Sequence, residues 1–196
     1  MGSDEKVILN PTIEERFGHF FRGRKMNLGS GPRPMRGYVN VDLYCDADVQ
    51  TDIRTGLPFA DKSFDTVFAS HIFEHFSGEE NLRIWSELGR VLRPGGNLIA
   101  VVPYGLSAYH YANPFHKFGW TEGTPRLFDR RIYTDESGVS FRREQGQRMY
   151  PWSLMDMFYR LAHGWSDKTP EEQQFAVKHY NNVIEEMFFA MRRERE

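Results

Sequence analysis

Apolar residues along this chain follow two rhythms. Short apolar runs of strand length recur through the first hundred residues, and stripes at helical spacing lie between and after them. Met26 to Leu28 ends at glycines and predicts a first strand. Tyr38 to Asp42 predicts a second, Val49 to Ile53 a weaker third, and Thr66 to Ser70 a fourth. Ser77 and Glu80 then form a capping box, and Leu82, Trp85, Leu88 and Leu92 recur at helical spacing. Arg93-Pro94-Gly95-Gly96 stops that helix. Leu98 to Val102 is continuously apolar, the pattern of a strand covered on both faces. Strands that return through a helix predict a largely parallel α/β sheet.

The flanks are mixed. Asn10 and Pro11 open a helix whose Ile13, Phe17 and Phe20 share a face. Arg131 to Thr134 and Val139 to Arg143 flank Glu136-Ser137-Gly138, the pattern of an antiparallel hairpin. Ser153 opens a short helix containing Leu154, Met157, Phe158 and Leu161. Thr169, Pro170 and Glu172 form a second capping box, which starts a long helix carrying Val177, Tyr180, Ile184, Met187, Phe188 and Met191 on one side.

Spacing sharpens this picture. A parallel crossover normally takes a dozen residues or more, usually with a helix. Only Pro32 to Gly37 separate the glycine turn from the second strand, and only Leu43 to Asp48 separate the second from the third. The helices after strands 1 and 2 are therefore expected to be reduced to turns. A bare apolar face on a parallel sheet is unstable in water. The segment Ile13 to Phe21 and one or both C-terminal helices are expected to cover it; a homodimer partner could do the same.

Composition narrows the classes. A chain of 196 residues, 40% hydrophobic and 27% charged, is the size and balance of one globular domain. A net charge of −2 gives no electrostatic reason to expect nucleic acid or an acidic membrane as partner. Cys45 is the only cysteine, which excludes an intrachain disulfide and a thiolate zinc cluster and fits a reducing, cytoplasmic setting. The polar start, Met1 to Lys6, lacks the apolar core of a signal peptide, and no apolar run approaches bilayer-spanning length.

Candidate chemistry begins at Asn27-Leu28-Gly29-Ser30-Gly31, directly after the first strand. Glycines there let backbone N–H groups approach a ligand where Cβ atoms would block it. Asp42 ends the next strand, where a carboxylate can accept both hydroxyls of a ribose. Asp52 ends the third. Leu57-Pro58-Phe59 through Ser63-Phe64-Asp65 and then Leu92-Arg93-Pro94-Gly95-Gly96 complete an ordered series.

That series resembles the class I S-adenosylmethionine-dependent methyltransferases of the small bacterial kind, over roughly Lys25 to Pro103. The resemblance implies a Rossmann-like, mostly parallel sheet, with a C-terminal antiparallel hairpin and extra C-terminal helices here. It implies S-adenosylmethionine as cofactor and S-adenosylhomocysteine as product. Residues 22–104 would form the cofactor-binding core and residues 105–196 the substrate side. By resemblance, Gly29, Ser30 and Gly31 face the methionine part of the cofactor, Asp42 holds the ribose, and Leu43 lies against the adenine. Asp52 and Ile53 meet the adenine edge and face, and Ser70 and His71 line the pocket near the sulfonium. Two positions depart from the family pattern. Asn27 stands where Asp or Glu is usual, so it can accept a hydrogen bond from the cofactor's ammonium but brings no charge. Arg33 replaces a usual third glycine. These departures keep open a non-catalytic, cofactor-binding member of the fold.

After the fifth strand, Tyr109-His110-Tyr111 and Asn113-Pro114-Phe115-His116 concentrate aromatics and histidines on the side where α/β folds bind ligands. His116 or His110 could take a proton from a hydroxyl or amine of a small-molecule acceptor. A rival reading is His71-Ile72-Phe73-Glu74-His75, which matches His-x-x-Glu-His. On a helix, His71 and His75 would share a face suited to zinc, with Glu74 as hydrolytic base. The stronger expectation assigns no metal and leaves Glu74 and His75 to fix the turn after the fourth strand.

Overall fold

A computed structural model describes residues 12–129 and 152–195. The hairpin expected between Arg131 and Arg143 lies outside these residues. Five strands pair in parallel: β1 (Lys25–Leu28), β2 (Tyr38–Asp42), β3 (Val49–Gln50), β4 (Phe64–Ser70) and β5 (Leu92–Pro103). Two more, β6 (Trp152–Leu161) and β7 (Ile184–Arg193), pair antiparallel with each other, and β7 also pairs antiparallel with β5. The sheet order is β3-β2-β1-β4-β5-β7-β6. The helices are α1 (Ile13–Phe17), α2 (Gly78–Val91), α3 (Ala108–Ala112), α4 (Gly123–Phe128) and α5 (Pro170–His179). The fold is thus α/β, mostly parallel, with an antiparallel C-terminal pair. The connections 29–37 and 43–48 contain no helix, as their lengths require.

Helix α2 starts where expected, because Ser77 and Glu80 close a reciprocal capping box. Its Ile84, Trp85, Leu88 and Val91 are buried against Leu28, Val67, Leu98 and Met191 on one face of the sheet. Aromatic rings thicken this layer. Trp85 stacks on Phe128 with centroids 3.9 Å apart and meets Trp152 edge-on at 5.4 Å.

The opposite face is covered in two different ways. Over β5, β7 and β6, Phe17 and Phe20 pack on Ile99, Val101, Phe158, Phe188 and Ala190. Arg16 anchors the segment through two charge-assisted hydrogen bonds to Asp156, of 2.6 and 2.7 Å. Over β1 and β2 the same face is polar. Asn27 Nδ2 donates to Asn40 Oδ1 at 3.0 Å, and the Met35 amide donates to the same oxygen at 2.7 Å. Both asparagines are buried beneath the 32–37 turn. Where no helix covers the sheet, outward residues hydrogen-bond to the crossover itself.

Two expected C-terminal helices are corrected. The segment from Ser153 is strand β6. A bulge between Leu154 and Asp156 shifts its alternation, which brings Leu154, Met157, Phe158 and Leu161 to helix-like spacing. The Thr169 capping box does start α5, but the helix ends at His179. Ile184, Met187, Phe188 and Met191 belong to β7, which lies between β5 and β6 and is buried on both faces. A run apolar on both faces has no period that separates strand from helix. Helix α5 packs its Ala176 near Leu161, Val183 and Ile184, and α1 with its following turn supplies the helical cover over Phe188 and Ala190.

Phe17→Ala is expected to lower the unfolding free energy in urea by about 3–5 kcal/mol, because its ring is fully buried under the sheet. Leu127→Ala, on the exposed side of α4, should cost less than about 1 kcal/mol in the same titration.

Candidate active site

The carboxyl ends of β1, β2 and β4 open onto a cavity of about 530 Å³. In an open α/β sheet this is where ligands bind. The chain leaves β1 through Gly29 at φ 66° and Gly31 at φ 56°, both left-handed. A Cβ on Gly29 would stand 2.7 Å from Ile72 Cδ1, so the turn can pass this close only as glycine. The amides of Gly29 and Ser30 donate to the Val41 carbonyl at 2.8 and 3.1 Å, which lashes the turn to β2.

Asp42, the last residue of β2, holds the turns on both sides of it. Its Oδ2 accepts from the Gly31 amide at 2.8 Å, and its Oδ1 accepts from the amides of Tyr44 and Cys45 at 2.8 and 2.9 Å. Burial alone would raise its pKa. The surrounding amides of Cys45, Tyr44, Gly31 and Leu43 outweigh that and hold the carboxyl below its usual range. Asp42 is therefore a fixed anion at the cavity lip.

Asp52 sits one turn beyond β3, where it caps a short 3₁₀ segment, Ile53–Thr55. The third strand stops at Gln50 because Asp52 accepts the Arg54 amide and turns the backbone. Its carboxylate also takes the Arg54 guanidinium at 2.6 Å, and that pairing holds its pKa down. Ile53 and Leu43 line the cavity beside it.

His71 follows β4 in a left-handed conformation, φ 53°, unusual for a residue with a Cβ. It forms part of the cavity wall. Its Nε2 lies 2.8 Å from Glu186 Oε1, and its Nδ1 lies 3.5 Å from Glu74 Oε1. Glu186 in turn binds Arg160 at 2.7 Å. Burial disfavours the imidazolium, but the bonds to Glu186 and Glu74 more than offset it and push the pKa up to about 9. His71 is a charged donor at neutral pH.

The structure thus brings Gly29, Gly31, Asp42, Leu43, Asp52, Ile53 and His71 onto one cavity. Asn27, Ser30 and Ser70 stand outside its wall. Asn27 is committed to Asn40, Ser30 is buried behind the turn, and Ser70 closes β4. His110 and His116 also lie off the wall. His110 is buried, and burial, with His116 beside it, lowers its pKa. His116 Nδ1 donates to the His110 carbonyl at 2.8 Å. Neither is among the residues that line the cavity. The His-x-x-Glu-His helix is also corrected. Residues Phe73–His75 make a single 3₁₀ turn, and His71 points to Glu186, so His71 and His75 share no helical face. Wall residues that the sequence pattern did not single out include Arg54, Ile72, Phe76 and Lys117. They come from loops whose approach depends on tertiary structure, although the aromatic Asn113–His116 segment did mark the side.

Known proteins share this fold. Residues 36–100 match the family model of a methyltransferase domain. Over 106 residues the chain is 35% identical to an uncharacterized methyltransferase of Mycobacterium sp. (strain JLS), covering 52% of this chain and 38% of that protein. The chain thus spans well under half the length of that curated relative. An S-adenosylmethionine-dependent methyltransferase from Archaeoglobus fulgidus superposes with a TM-score of 0.59 at 16% identity, covering 92% of this chain and 91% of the other. A phosphoethanolamine N-methyltransferase of Haemonchus contortus, solved with S-adenosylhomocysteine, superposes with a TM-score of 0.54 at 16% identity, covering 93% of this chain and 52% of that one. The fold is the Rossmann-like methyltransferase fold. In this methyltransferase fold the cavity occupies the carboxyl edge of the parallel strands, and the match over 36–100 contains Asp42, Asp52 and His71. No helix among the described residues is long and apolar enough to cross a membrane.

The raised pKa of His71 carries a pH signature. A group with a raised folded-state pKa stabilises the fold fully below its unfolded value, near 6.5, and loses that contribution as pH rises through about 9. The stability gap between wild type and His71→Gln should therefore be widest near pH 6 (about half a unit below the unfolded value). It should narrow steadily through pH 9 in denaturant titrations.

Proposed function

We propose that the chain binds S-adenosylmethionine in this cavity and transfers its methyl group to a small or medium-sized acceptor. The observation that carries this reading is the convergence of the Gly29–Gly31 turn and the carboxylates of Asp42 and Asp52 on one cavity. The residues fit an adenosyl group. A volume of about 530 Å³ lies in the range of small-molecule sites. Asp42, ionised and fixed, offers lone pairs to a ribose. Ile53, Ile72 and Phe76 offer apolar surface to a base, and Asp52 offers its edge an acceptor shared with Arg54.

S-Adenosylmethionine supplies an already activated methyl group on a sulfonium. The protein's task is then to position and to exclude water. Gly29 lets the backbone approach without a Cβ, and Phe115 and Lys117 close the cavity from the loop after β5. His71, protonated and held by Glu186 and Glu74, is a fixed positive charge on the cavity wall and not a base. The acceptor therefore either arrives as a good nucleophile or loses its proton to solvent.

Calorimetric titration tests the reading. S-Adenosylmethionine should bind wild type, and Asp42→Ala should bind it at least about tenfold more weakly, because charge-assisted hydrogen bonds are worth about 1.5–3 kcal/mol. NAD should not bind. Absence of S-adenosylmethionine binding, or indifference to the substitution, sinks the proposal. Binding without turnover across a broad acceptor panel would leave a cofactor-binding protein and remove the transferase.

A further inference from the structure

The carboxylate of Glu74 is fully buried, and neither oxygen has a hydrogen-bond partner. A buried anion without hydrogen bonds is costly, and the His71 imidazole, with Nδ1 3.5 Å from Oε1, compensates it from one side only. Two further histidines stand next to it. Ligand atoms of Glu74, His75 and His116 all lie within 4.8 Å of one another. His116 Nε2 faces Glu74 Oε1 at 3.9 Å. The other ring nitrogen of His116 donates to the His110 carbonyl at 2.8 Å, which leaves Nε2 as the lone-pair nitrogen in the neutral ring. His75 has its Nδ1 3.4 Å from the Phe115 carbonyl. A metal-binding imidazole is typically held this way, with its far N–H on a backbone carbonyl.

We propose that Glu74, His75 and His116 bind a divalent transition metal, zinc or a close chemical relative. Two imidazole nitrogens and one carboxylate oxygen suit this class and leave a fourth position open. Tetrahedral zinc bonds of about 2.0–2.1 Å place ligand atoms about 3.3 Å apart, so the three side chains close by well under 2 Å to seat the ion. The metal would act as a clasp. Glu74 and His75 belong to the turn after β4, and His116 belongs to the loop after β5. Their backbones already meet, because Lys117 and Phe118 donate to the Glu74 carbonyl at 2.7 and 3.2 Å. The same loop carries Phe115 and Lys117 into the cavity wall, and His75 is itself a wall residue. Seating the ion would fix that wall. The set differs from the His-x-x-Glu-His reading, since His71 pairs with Glu186 and Glu74 and is no ligand, and the third ligand comes from about forty residues downstream.

Metal-free protein titrated with zinc chloride in a calorimeter should bind one equivalent at micromolar affinity or tighter. Cobalt(II) in its place should give visible d–d absorption. Glu74→Gln, His75→Ala and His116→Ala should each weaken zinc binding at least tenfold, while His163→Ala, outside this cluster, should leave it unchanged. Circular dichroism identifies any variant that fails to fold, and the part-exposed His75 serves if the buried Glu74 does not tolerate change. No stoichiometric binding by wild type, or undiminished binding by the folded variants, overturns the site. These titrations need no S-adenosylmethionine, so their failure leaves the cofactor reading untouched, and the reverse also holds.

Discussion

Parallel strands must be joined across the sheet, and here two of the joins carry no helix. Residues 29–37 and 43–48 are too short to wind one and still return to the sheet's starting edge. Much of the architecture answers to that constraint. The face that such helices would bury is polar over β1 and β2, where Asn27 and Asn40 bond to each other and to the Met35 amide. Farther along the sheet the face turns apolar, and Phe17 and Phe20 cover it. One surface is thus solved by hydrogen bonding at one end and by a short N-terminal helix at the other.

The short joins also shape the cavity. With no helix start after β1 to face a ligand, the anchoring of the glycine turn falls to Asp42, which binds Gly31 on one side and the amides of Tyr44 and Cys45 on the other. The carboxylate suited to a ribose is therefore also the brace of the two turns around it. This double duty separates Asp42 from Asp52, whose carboxylate is satisfied by the guanidinium of Arg54. It also explains why the region is legible from its glycines and acids alone.

Legibility follows the locality of the signal. The strand from Tyr38 to Asp42 and the capping boxes at Ser77 and Thr169 are written in contiguous residues, and the structure follows them closely, while the helix expected to run to Leu92 and stop at Gly95-Gly96 ends at Val91, and those residues open β5. The segments from Ser153 and from Ile184 are not so written. A bulge gives β6 a helical spacing, and burial on both faces erases the period of β7. The cavity residues that come from strand ends were readable for the same reason of locality. Those from the loop after β5, such as Lys117, reach the wall only because Glu74 accepts their amides from another element. That His110 and His116 stand off the cavity wall is not written in their aromatic surroundings, because sequence gives no direction to a side chain.

The order of assembly is set by where β7 falls. It is the last strand in sequence, yet it lies between β5 and β6. Until it arrives, β6 has no neighbour in the sheet and β5 presents a long apolar edge with unpaired amides and carbonyls. Pairings between positions so distant along the chain are slow to close. A nascent or heat-loosened chain is thus most vulnerable to self-association along β5. The Phe188-Phe189 pair, which lands one ring on each side of the sheet, seals both hydrophobic layers in a single docking step.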